Sequence, residues 1–263
     1  MTSFDVPEYV GKSLLELLFL IFGGLLVGWI THTYFARKAA IVEIEGEVMK
    51  KRLSIYEELY RRINLLITLE ALPAGRLDAA FDTLKKSGFE ITVPDSTQTL
   101  AVMHTARGFT KAYMELDAYI NNHRLYYETA VDKALLLFSN YMAIYRRLQV
   151  IFEEQIIAEG LSLDDSCVSY YEDLLMTEIC ILYQDEFSSE VNHVLEAVKA
   201  AISSPARHKR KAGDHTMSTF GDNGAVLRYL KQLRIFQQRN QIHNLIADNM
   251  ASAFAASTLN SRK

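Results

Sequence analysis

Residues Leu14–Ile30 read LLELLFLIFGGLLVGWI, with a single charge, Glu16, near the upstream edge. At about 1.5 Å rise per residue such a run gives roughly 26 Å of helix, and Ser13 and Thr31–Phe35 extend it towards the ~30 Å of a bilayer's hydrocarbon core. A segment in lipid has to satisfy its own backbone N–H and C=O groups, so a helix is expected. Trp29, Tyr34 and Phe35 cluster downstream and Phe4 and Tyr9 lie upstream, where interfacial aromatics sit. Upstream the one cation is Lys12, beside Asp5 and Glu8; downstream come Arg37, Lys38, Lys50, Lys51 and Arg52. The positive-inside bias then places the N-terminus outside the cell membrane and the rest of the chain in the cytoplasm. The acidic start and the lack of a small-x-small cleavage site argue against a signal peptide.

Two features inside this run bear on function. Gly24 and Gly28 form a small-xxx-small pair, with Gly23 adjacent, a face on which two membrane helices can approach closely. Glu16 lies within reach of the outer headgroups and of water.

The remaining chain reads as all-α. Of 263 residues only 4 are proline and 12 glycine, so long segments run without breakers. The net charge of −4 gives no global basic field and argues against a nucleic-acid partner. The two cysteines, Cys167 and Cys180, are too far apart to bridge if they share a helix, and reduced thiols fit a cytoplasmic body.

The expected organisation is a short outer tail (1–12), a transmembrane helix (13–36) and an amphipathic stalk helix (37–72). A mostly antiparallel helical bundle (73–204), a basic flexible loop (205–224) and a C-terminal helix with a frayed tail (225–263) follow. In the stalk, Met49, Leu53, Tyr56, Tyr60, Ile63 and Ile67 recur in steps of four and three. Ile44, Val48, Ile55, Leu59 and Leu66 widen that stripe, which suits burial in a bundle. Gly46 is a flex point. Pro73, Gly75 and Gly88 bracket a short helix over 76–86. Asp95 with Gln98 reads as a capping box opening a helix whose stripe is Val102, Ala106, Phe109, Tyr113, Leu116 and Ile120. Asn121-Asn122-His123 then suggests a hairpin turn before a stripe from Tyr127 to Ile156, with one continuous helix over 96–159 as the alternative because the phase is kept across the break. Ser162 with Asp165 reads as a second capping box, and the last helix is expected over about 225–255. The many tyrosines fit helix packing with hydroxyls at the bundle surface.

Site chemistry is sparse. Glu190-x-x-His193 has the i, i+3 spacing of di-iron bundles, but no second such pair exists, so neither a metal nor another cofactor is expected. The run Arg207, Lys209, Arg210 and Lys211 is a candidate contact for anionic lipid or nucleic acid. Arg239, Asn240 and His243 resemble the Arg-Asn-to-His signature of the HEPN ribonuclease family, which is also all-helical. The resemblance covers residues 239–243 and implies a ribonuclease with Arg239, Asn240 and His243 as its site. The spacing is one residue shorter than the family's, which on a helix rotates the histidine by about 100°.

These patterns point to a membrane-anchored helical protein without catalytic chemistry. It is expected to act through an unidentified protein partner and through self-association as a homo-oligomer, with membrane lipid around its anchor. The alternatives are an effector, such as a toxin or antiphage defence component, that perturbs the bilayer on oligomerising, and the HEPN-like ribonuclease.

Overall fold

The computed structural model describes residues 8–72, 74–91, 98–158, 165–203 and 223–260; for 8–26, 30, 74, 165, 223 and 257–260 it describes the backbone alone. Helices dominate, so the fold is all-α. In order they are α1 (Glu8–Leu65), α2 (Ala74–Lys86), α3 (Ala106–His123), α4 (Thr129–Ala158) and α5 (Asp165–Ser203). Then come α6 (Asn223–Gln232), α7 (Arg234–Gln237) and α8 (Arg239–Asn260). Two short strands, β1 (Leu69–Ala71) and β2 (Gln98–Leu100), pair antiparallel with Leu69 opposite Leu100. The chain divides into two compact units, Met1–Ser54 and Ile55–Lys263, and the boundary falls inside α1.

In the first unit the described side chains of α1 are almost all exposed, including Trp29, Tyr34, Phe35, Ile41, Val42, Ile44, Val48 and Leu53. This corrects the expected burial of Ile44, Val48 and Leu53 in a bundle. Among the described residues no helix is long and apolar enough to cross a membrane. The transmembrane expectation therefore gains no support from the structure, and most of its side chains, residues 14–26, lie outside those described.

The second unit is a packed bundle. The last turns of α1 bury Ile55, Tyr56, Leu59 and Ile63, the continuation of the same apolar stripe. The helix ends at Leu65, short of the expected 72, because the chain turns into β1. Helix α2 closes on Gly88, whose φ of 81° is left-handed and favours glycine. Phe89 N then donates to Leu84 O at 3.0 Å, capping the free carbonyls, while Lys85 and Lys86 complement the helix dipole.

The expected capping box at Asp95 and Gln98 does not open α3. Asp95 lies outside the described residues and Gln98 belongs to β2. The cap is Thr105, whose side chain accepts from Gly108 N at 3.0 Å. A Cβ on Gly108 would stand 2.6 Å from Thr105 Oγ1, so this cap requires glycine there. Ser162 of the second capping box also lies outside the described residues.

Helices α3 and α4 form an antiparallel hairpin around the turn at Arg124–Tyr126. Buried Gln149 staples it, accepting from Thr110 Oγ1 at 2.7 Å and donating to Ala106 O at 3.3 Å; Ser139 donates to Asp117 at 2.7 Å. Helix α5 runs antiparallel to α4, with Phe187 packed against Phe138, Tyr141 and Tyr145. Helix α8 runs antiparallel to α5, through Tyr183–Gln238 at one end and Tyr171–Ser252 at the other. Helix α2 runs parallel to α5, with Phe81 and Ile181 in one apolar cluster.

The single C-terminal helix expected over 225–255 is three helices. Leu233 adopts an extended ψ of 138° and is buried, which breaks the helix. Glu186 Oε2 then accepts from Arg234 N at 2.6 Å, a carboxylate satisfying the first amide of α7.

Candidate functional site

The most unusual chemistry in the second unit is a buried carboxyl. Glu178 on α5 and Asn249 on α8 are both 0% exposed. Asn249 Nδ2 donates to Glu178 Oε2 at 2.6 Å and to Leu245 O at 3.1 Å. Glu178 Oε1 and Asn249 Oδ1 are buried without a hydrogen-bond partner. Beside them, Ser87 at the end of α2 donates to Asp248 Oδ2 at 2.5 Å. Burial pushes the Glu178 carboxyl up to about 8, against the lowering effect of the Asn249 hydrogen bond and of the nearby Thr83 hydroxyl, and the negative charge of Asp248 adds to the rise. Burial likewise pushes the Cys180 thiol up to about 12, which makes it a poor nucleophile.

A second polar group lies between α4, α5 and α6. The hydroxyls of Tyr141 and Tyr145 are hydrogen-bonded at 2.5 Å, and Tyr141 donates to Glu186 Oε1 at 3.3 Å. Glu190 accepts from the hydroxyl of Tyr229. Burial raises Tyr141, Tyr145 and Tyr229 well above the ordinary phenol range. Tyr141 and Tyr145 are fully buried, so the expected surface placement of tyrosine hydroxyls fails for this pair. Their hydroxyls are satisfied inside the bundle instead.

An open groove of about 360 Å³ is lined by Leu65, Leu66, Val102 and Leu116 together with Arg61, Arg62 and Glu115. Its cations are already engaged. Arg61 and Arg62 both reach Glu58 at 2.7 Å and hold that carboxyl down at about 2, with the Arg61 hydrogen bond the largest influence. Arg62 also stacks over the Tyr119 ring at 4.7 Å.

In the first unit the notable surface is α1 itself. Ile41, Ile44 and Val48 recur at three and four residues and all are exposed, with Tyr34 one heptad before Ile41. No described residue covers this apolar stripe.

Several of the residues singled out from the sequence lie outside those described. Gly24 lies outside the described side chains, and Gly28 has nothing within 4 Å of a Cβ position. Arg207, Lys209, Arg210 and Lys211 lie outside the described residues. Arg239, Asn240 and His243 sit exposed at the start of α8, with the Arg239 guanidinium 5.5 Å from the Phe236 ring. His193 is exposed, and among the described residues no cluster of His, Cys, Asp and Glu is arranged to hold a metal. The Glu178–Asn249 pair was missed because neither residue carries a motif. The sequence signal was a lone Glu and a lone Asn on otherwise apolar helix faces, Leu174-Leu175-Met176 to Ile179-Cys180 and Leu245-Ile246 to Met250. Comparison with family models, curated proteins and solved structures found no match.

Proposed function

We propose that this chain is a membrane-anchored helical protein that acts by self-association and by binding another protein, without catalytic chemistry of its own. The observation that carries the reading is the exposed apolar stripe of α1, Ile41, Ile44 and Val48, which no described residue covers. The run Leu14–Ile30 supplies the anchor in this reading, by length and hydropathy. Its flanking cations place the N-terminus outside the cell membrane and the helical body in the cytoplasm. Confinement to a bilayer raises the local concentration of copies, so a modest stripe suffices for association.

The test is cross-linking of the full-length chain in membranes. Wild type is expected to yield oligomers, and the triple change Ile41→Asp, Ile44→Asp and Val48→Asp to reduce them strongly. A strictly monomeric wild type that co-purifies with no partner would sink the proposal. An effector that perturbs the bilayer on assembly is the second reading, favoured by the open position of Gly28 on α1. Its distinguishing readout is membrane depolarisation on overexpression, absent for a pure scaffold.

A further inference from the structure

We infer that Glu178 and Asn249 bind one proton between them as a closed acid–amide pair, and that this proton fastens α8 to α5. Half of the pair is visible: Asn249 Nδ2 donates to Glu178 Oε2 at 2.6 Å. The two atoms left over are Glu178 Oε1 and Asn249 Oδ1, one from each side chain, both buried and both without a partner. An ionised carboxylate and a carboxamide oxygen are acceptors only, so with Glu178 charged neither leftover atom satisfies the other. A proton on Oε1 turns that oxygen into a donor and supplies the hydrogen missing between the two. One proton is taken up from water, and no covalent bond between heavy atoms changes.

The surroundings favour the neutral form. From α8, Asp248 adds negative charge; Arg239 and His243 of that helix are exposed. From α2 comes the Thr83 hydroxyl, while Asp78, Asp82, Lys85 and Lys86 are exposed and Arg76 is 3.6 Å from Asp173. Strand β2 carries no titratable side chain, and on α5 the neighbouring Cys180 is a buried thiol held protonated. No cation among these groups offsets a charge on Glu178, whose carboxyl stands at about 8 against an ordinary 4.5. The folded state therefore holds one proton more than the unfolded state between those values. The pair's contribution is complete below pH 4.5, falls as pH rises through the window, and is lost above about 8.

The test compares full-length wild type with Glu178→Gln, whose amide N–H replaces the acid O–H without titrating. The ratio of the variant's folding constant to that of wild type is expected to rise about tenfold per pH unit inside the window and to level off above it. A ratio independent of pH overturns the inference. A readout on unsubstituted Glu178 guards against a variant that fails to fold. Infrared spectra of chains with isotope-labelled glutamate, in a Glu172→Gln background because burial also raises Glu172, should keep one acid carbonyl band at neutral pH. Absence of that band overturns the inference equally.

Discussion

Helix α1 carries one apolar stripe through two different environments. Before the boundary at Ser54, Ile41, Ile44 and Val48 are exposed, Ile44 at 63%. Beyond it, Ile55, Leu59 and Ile63 repeat the pattern of β-branched and leucine residues at helical spacing, and Ile63 is 0% exposed. The two stretches differ little in residue type or in local backbone. They differ in what packs against them. A periodic stripe says which face of a helix is apolar and nothing about whether the same chain supplies its cover. In the second unit the cover is internal, with Tyr56 stacked on Tyr127 and Tyr119 bonded to Ile55 O at 3.1 Å. In the first, no described residue supplies it, which is the physical basis of the proposed association.

The contrast has measurable consequences. The largest effect is expected for Ile63→Ala, a cavity in a fully buried site, at about 2–5 kcal/mol of stability in denaturant unfolding. Equal costs for Ile63→Ala and Ile44→Ala would break the distinction between the two stretches. Tyr56→Phe comes next. The Tyr56 hydroxyl accepts from Glu128 N at 2.8 Å and donates towards Tyr126 O at 3.5 Å, so its removal loses both bonds and costs about 1–3 kcal/mol. Gly46→Ala acts in the opposite direction. Nothing lies within 4 Å of a Cβ there. The substitution should therefore stabilise the exposed stretch of helix by about 1 kcal/mol, read as slower amide exchange around that position. The smallest effect on stability belongs to Ile44→Ala, within about 0.5 kcal/mol, because the side chain has little burial to lose. That variant sharpens the comparison if its cross-linked oligomer falls while its unfolding curve stays in place.

Much of the helical outline was legible. The stripes around Phe109 to Ile120 and Tyr127 to Ile156 mark buried faces of α3 and α4, and the turn between them falls beside Asn121-Asn122-His123. The errors came where a non-local contact overrides local propensity. Residues 98–100 read as the first turn of a helix, but pairing with Leu69–Ala71 draws them into a strand. Residues 225–255 read as one helix, but burial of Leu233 and capping by Glu186, 48 residues away, divide it. The acid–amide pair was invisible for the same reason. Glu178 and Asn249 are 71 residues apart, and each on its own helix looks like a stray polar side chain.

The sequence alone determines that this chain is helical and where its apolar faces run. Those properties follow from residue spacing and side-chain solvation, which act over a few residues. Only the tertiary structure decides which apolar face is covered by the chain itself and which is left open. It also decides which carboxyl loses its water. Both are questions of what arrives from a distant part of the chain, and burial, unlike periodicity, is a property of neighbours.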